Sequence, residues 1–193
     1  MEKAEVSLAL STERNIGTWT ALNTVLTGWA LAETGALAEG ARQIRRAIDQ
    51  FNAMGLRIVQ LRMAPYAADV LSRTGAHDEA LAVLGEASKV MEKTDARCLE
   101  AEIYRIRGAV LLRKSKEFHE DAVSDFKMAM KVASHQNAMS YQLLAAMELA
   151  RVLGDSGRDD EGYALLATIY ARFTEGFETA YLRKAKRLLD HLS

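Results

Sequence analysis

Apolar positions along this chain recur at helical spacing, and the pattern itself repeats. Leu71, Leu81, Leu84 and Val90 flank the Thr74-Gly75 turn at the intervals of helix rather than strand. The stretch "LSRTGAHDEALAVL" (71–84) follows "LAETGALAEGARQI" (31–44) at an offset of forty positions. Both read leucine, Thr-Gly, an acidic residue and then an aliphatic. The register extends to four units. Gly35, Gly75, Ser115 and Gly157 mark one position, and Gly28, Ala68, Gly108 and Ala150 stand seven residues before them. Acidic residues follow at Glu39, Glu79, Asp121 and Glu161, each succeeded by Gly40, Ala80, Ala122 or Gly162. Ala47, Ala87, Ala129 and Ile169 complete the pattern, and the third unit carries two extra residues after its marker.

Each part has a physical reason. Small residues are needed where one helix backbone approaches another at 8–10 Å. The marker glycines suit helix ends, where the chain turns through a left-handed conformation. The acidic residues then enter the first turn of the next helix and complement its partial positive charge. Each unit therefore reads helix, short turn, helix. The pattern predicts helices near 2–14, 17–34, 37–54, 57–74, 77–93, 96–114, 117–135, 138–156, 159–173 and 179–192. Stops between units are expected at Gly55, Thr94-Asp95, Asn137 and Gly176. Pro65 lies inside one predicted helix, which is expected to kink there or to start late. Because one hairpin cannot bury its own apolar face, tandem hairpins stack into a solenoid. The expectation is an all-α, right-handed α-α superhelix forming a single domain over 1–193. Its hairpins would span 17–55, 56–95, 96–137 and 138–176, with an N-terminal helix before them and a capping helix at 177–193.

Composition narrows the function classes. Of 193 residues, 26% are charged and 49% hydrophobic, with a single proline, which favours helix throughout. A net charge of −1 lacks the basic excess of a nucleic-acid surface. Cys98 is the only cysteine, so no internal disulfide is available. The opening "MEKAEVSLALSTERN" has no apolar core of the kind a secretory signal needs, and no stretch approaches a membrane span. A cytoplasmic protein without membrane contact is expected.

The placement of small residues resembles the tetratricopeptide repeat (TPR). Gly28, Gly40 and Ala47 match its pattern in the first unit, Ala68, Ala80 and Ala87 in the second, Gly108, Ala122 and Ala129 in the third, and Ala150 and Gly162 in the fourth. Departures are the period of forty in place of thirty-four, leucine where the first helix has tyrosine (Leu31, Leu71, Leu111, Leu153), and Ile169 for the last alanine. "TGWALAETG" (27–35), "APYAADVLSRTG" (64–75) and "FTEGFETAYLRKAKRLLDHL" (173–192) also look like the C-terminal TPR-like region of large bacterial signalling ATPases. Predicted class III adenylate cyclases and related transcriptional regulators belong to that group. The resemblance implies a regulatory or interaction region, either freestanding or part of a larger protein. No G-x-x-x-x-G-K-[ST] phosphate loop accompanies it.

Chemistry-bearing strings have plain structural readings. "GDSG" (154–157) has the letters of a serine-protease nucleophile but falls at a hairpin turn. "SDFK" (124–127) matches S-x-x-K without its companion motifs. His119, Glu120 and Asp121 are consecutive, so they splay around a helix instead of converging on a metal. "RDDE" (158–161) reads as carboxylates in a first turn. "RKAKR" (183–187) lies opposite an apolar stripe of Leu182, Ala185, Leu188, Leu189 and Leu192, as in an amphipathic closing helix. No catalytic, cofactor-binding or metal-binding residue is assigned, and no cofactor is expected.

In TPR arrays the first helices of successive hairpins line the concave face. By that resemblance the binding face here would carry Trp29 and Glu33, then Arg62, Asp69 and Arg73, then Arg105 and Arg113, then Met147 and Arg151. Guanidinium groups pair with carboxylates, so an acidic protein or peptide segment is one expected guest. The other reading is that Asp69, Glu102 and Asp155 neutralise the arginines as surface pairs. The function expected is a non-catalytic scaffold for a protein or peptide. The alternative is the sensory arm of a larger signalling ATPase, cyclase or transcriptional regulator. The N-terminal helix resembles half a hairpin with an uncovered apolar face, so a homodimer is expected.

Overall fold

The computed structural model describes residues 2–193, and every regular element among them is helical. The α-helices are α1 (Glu2–Glu13), α2 (Gly17–Glu33), α3 (Leu37–Met54), α4 (Arg57–Arg73), α5 (His77–Thr94), α6 (Glu100–Lys114), α7 (His119–His135), α8 (Met139–Asp155), α9 (Asp159–Tyr170) and α10 (Ala180–Leu192). Short 3₁₀ turns at Arg97–Leu99 and Lys116–Phe118 precede α6 and α7. None of the helices, among the described residues, is long and apolar enough to cross a membrane.

Helix ends follow the sequence pattern closely. Gly35, Gly75 and Gly157 adopt φ of 99°, 87° and 71°, and Gly55 and Gly176 adopt 65° and 77°. Asp95 and Asn137 occupy the same left-handed region at 54° and 53°, where a short polar side chain is tolerated. One closing bond recurs: an N–H beyond the turn reaches a carbonyl five residues back. It joins Ala36 to Leu31 at 2.9 Å, Ala76 to Leu71 at 3.2 Å and Arg158 to Leu153 at 2.9 Å. Ser115 does not share the left-handed conformation. There the chain enters a 3₁₀ turn that takes up the two extra residues of the third unit. Two boundaries differ from expectation: α6 begins at Glu100 and α9 ends at Tyr170. Pro65 does not delay α4, which starts at Arg57 and runs through it.

The chain divides into two compact units. Unit 1 comprises Met1–Leu99 with Arg113–Lys116, and unit 2 comprises Glu100–Leu112 with Glu117–Ser193. In unit 1, α2 packs on α3 and α4 on α5, and α2 also touches α4, so successive first helices lie side by side. Its core includes Val25, Ile44, Phe51, Leu61, Leu71 and Leu84, each at most 2% exposed. Burying each contributes roughly 1.5–3 kcal/mol. In unit 2, α8 packs on α7 and α9, and α10 lies against α9 and α8. Leu182, Ala185, Leu189 and Leu192 of α10 join Leu143, Ala146 and Leu166 in one apolar cluster, with Leu188 partly buried against it, so the stripe read from the sequence is the face that α10 buries.

Close approach explains the small residues. A Cβ placed on Gly28 would lie 2.7 Å from the Gly40 carbonyl oxygen and 2.9 Å from Cγ1 of Ile44. One on Gly40 would overlap the Gly28 carbonyl in turn. In unit 2 a Cβ on Gly108 would meet the Phe126 ring at 2.7 Å, and one on Gly162 the Ala150 carbonyl at 2.8 Å.

Candidate functional site

In unit 1 the outward stripe of α4 is Arg62, Tyr66, Asp69 and Arg73, residues spaced three or four apart and therefore on one face. Beside it, α2 presents Trp29 and Glu33. The Trp29 and Tyr66 rings meet edge to face, with centroids 5.6 Å apart and planes at 75°. Further along, Arg73 pairs through Nη1 with Glu33 and lies 3.4 Å from Asp69, while its Nη2 donates to the Ala32 carbonyl at 3.0 Å. Burial works against the charge of Arg73. The bond to Glu33 and the neighbouring Asp69 outweigh it and hold the guanidinium above its ordinary pKa. Arg113 donates to Asp69 at 3.0 Å and to the Ser72 hydroxyl at 2.6 Å. Each arginine thus reaches a carboxylate of the preceding hairpin, about one repeat back in sequence. Of this cluster's cations, Arg62 alone makes no hydrogen bond or ion pair among the described residues, and it is exposed.

In unit 2, Arg105 donates to both carboxylate oxygens of Glu102 at 2.8 and 2.6 Å and lies 3.5 Å from Glu148. Arg151 pairs with Glu148 at 2.9 Å. Neutralisation by Asp69 and Glu102 is therefore observed, but the partner of Arg151 is Glu148 and not Asp155. Residues 148 and 151 are three apart and share a helix face. Met147 is 3% exposed and packed in the core of unit 2. It precedes Glu148 by one residue, which turns its side chain about 100° round the helix, away from the outward stripe. The remaining sites named from sequence sit in two places: Trp29, Arg62, Asp69, Arg73 and Arg113 in unit 1, and Arg105 and Arg151 in unit 2.

Sequence reading missed Tyr66 and Ser72. Tyr66 was visible in principle, since it lies four residues after Arg62 and three before Asp69. The role of Ser72 as an acceptor depends on Arg113 arriving from forty-one residues away and had no local signal.

The motif residues take structural positions. Ser156 of the "GDSG" string donates to the Val152 carbonyl at 2.8 Å at the end of α8. In "SDFK", Ser124 is exposed, Phe126 is fully buried, and Asp125 accepts two bonds from Arg107. Among the described residues, no three His, Cys, Asp or Glu side chains gather in a way that could hold a metal ion. No known family model matches the chain, and no curated protein matches it either.

Proposed function

We propose that this protein is a non-catalytic, TPR-like scaffold that binds a protein or peptide segment on the face formed by its first helices. The hairpins would wind as a right-handed superhelix. The observation that carries the reading is the group of Trp29, Tyr66 and unpaired Arg62 on the exposed face of α2 and α4. Aromatic and arginine side chains dominate binding energy at protein interfaces, because they desolvate large areas while keeping polar handles. The ladder of Glu33, Arg73, Asp69 and Arg113 pairs two cations with two carboxylates and is internally neutral, so it supports the face, and Arg62 is left to attract an acidic side chain of the guest.

The test uses the full chain and an aspartate-rich peptide carrying one aromatic residue, followed by fluorescence anisotropy. Arg62→Glu and Trp29→Ala should each weaken binding at least tenfold while leaving the thermal midpoint within a few degrees. Unchanged affinity in both would reject this face. Arg73→Glu combined with Arg113→Glu should also abolish capture, but with a loss of stability that the first two variants lack.

The proposal includes self-association through α1 and α2, where Val6, Leu10, Ile16 and Trp19 are 46–63% exposed and the last three line a cleft of about 460 Å³. The same uncovered face favours a second reading, that the chain serves as a regulatory arm of a larger signalling protein. Sequencing the native reading frame separates the two: a fused ATPase, cyclase or DNA-binding domain would favour the arm.

A further inference from the structure

A second cleft lies wholly within unit 2, between α7, α8 and α9, and measures about 250 Å³. Its floor is apolar, built from Val123 of α7, Leu149, Val152 and Leu153 of α8, and Leu165 of α9. His119 and Lys127 of α7, and Arg158 with Glu161 at the start of α9, form its polar rim.

The repeat register shows what is unusual here. Lys127 and Glu161 both stand eighty-two positions beyond Arg45 and Glu79. In unit 1 that earlier pair closes directly: the Arg45 Nε donates to Glu79 at 3.0 and 3.1 Å, and its Nη2 at 2.7 Å, tying α3 to α5. In unit 2 the corresponding bond is not made. Glu161 is held instead by Arg158, with Nε to Oε1 at 2.8 Å and Nη2 to Oε2 at 2.7 Å. The register counterpart of Arg158 is Ala76, which has no such bond to offer. With Glu161 held by Arg158, Lys127 and His119 make no hydrogen bond or ion pair among the described residues and stand at the rim of the apolar floor.

We propose that this cleft binds a small aliphatic monocarboxylate of about six carbons in all, the carboxyl carbon included. The size follows from the volume: at about 30 Å³ per water-sized group, the cleft holds roughly eight non-hydrogen atoms. The sign follows from the charges. Arg158 and Glu161 cancel, and the positive charge of Lys127 remains for an anion. The carboxylate lies on the Lys127 ammonium in a charge-assisted hydrogen bond, with the His119 imidazole beside it. The tail lies over Leu149, Val152 and Leu153. An apolar floor beneath a polar rim matches a ligand with a charged head and a hydrocarbon tail. It shares no residue with the first-helix face proposed for the protein guest.

The experiment is a titration of the full chain with hexanoate, with 1-hexanol and acetate as controls, read by calorimetry and by methyl chemical shifts. Hexanoate should bind saturably and at least fivefold more tightly than either control. The largest shifts should fall on the methyls of Val152 and Leu153. Lys127→Gln should weaken hexanoate at least tenfold without altering the circular dichroism spectrum. Lys127→Arg, which restores the reach of Arg45 toward the acidic residue, should also lose hexanoate while keeping the positive charge. The proposal is overturned by absence of saturable binding at millimolar hexanoate, by hexanol binding equally well, or by undiminished binding in Lys127→Gln.

Discussion

Asp125 is 5% exposed on α7, and burying a carboxylate without a hydrogen-bonded partner is costly. Arg107 supplies the pair through two bonds of 2.7 and 2.5 Å, while its guanidinium carbon stands 5.1 Å from the centre of the Tyr104 ring. The bond to Asp125 holds Arg107 above its ordinary pKa despite partial burial. Removing the arginine would strand the carboxylate, whereas Asp125→Asn keeps an acceptor. Arg107→Ala should therefore cost about 2 kcal/mol, below the 3–5 of a fully buried pair because the arginine side chain is 42% exposed. Asp125→Asn should cost about 1 kcal/mol. Urea unfolding of both variants measures the difference, and equal midpoints would contradict the assignment. None of this was legible in "SDFK" (124–127), which offered only an S-x-x-K match without its companion motifs. The partner lies eighteen residues away on another helix.

At the scale of elements, one substitution made at two glycines separates propensity from packing. Gly85 sits on the exposed side of α5, and a Cβ there would meet nothing within 4 Å. Gly85→Ala should stabilise by about 0.5–1 kcal/mol, the intrinsic helical gain. Gly40 is also helical, but its Cβ would overlap the Gly28 carbonyl and lie 3.1 Å from the Ala32 nitrogen. Gly40→Ala should lose about 2 kcal/mol, because displacing backbone costs more than the propensity returns. Thermal unfolding should give shifts of opposite sign. Helix limits were well anticipated because turns and periodicity are local properties. The exceptions are physical: Ser115 lacks the freedom of glycine, so the third hairpin turns through a 3₁₀ segment, and α9 stops at Tyr170, ahead of the Gly176 turn.

For the whole molecule, the four exposed apolar residues on α1, α2 and the turn between them predict concentration-dependent association. Light scattering should show a mass rising toward twice that of the chain, and Trp19→Glu should return it to the monomer. A monomer at high concentration in the unaltered protein would contradict the prediction. Asn23 lines the cleft beside these residues, and its side-chain amide donates to the Ser7 carbonyl at 3.1 Å and to the Ser11 hydroxyl at 3.3 Å, fixing α1 on α2. Trp19→Glu should accordingly leave α1 docked.

The sequence alone determined helix, turn and repeat, because apolar period, left-handed glycines and first-turn acids act within a few residues of one another. It also located the close approaches, since only glycine or alanine fits them. Tertiary structure decided which charges are spent. Arg73 and Arg113 reach back a full repeat to Glu33 and Asp69, Glu161 turns to Arg158 and away from Lys127, and Met147 rotates into the core. Such choices depend on side chains converging from helices far apart in the chain, where a difference of one position or one neighbouring arginine changes the partner.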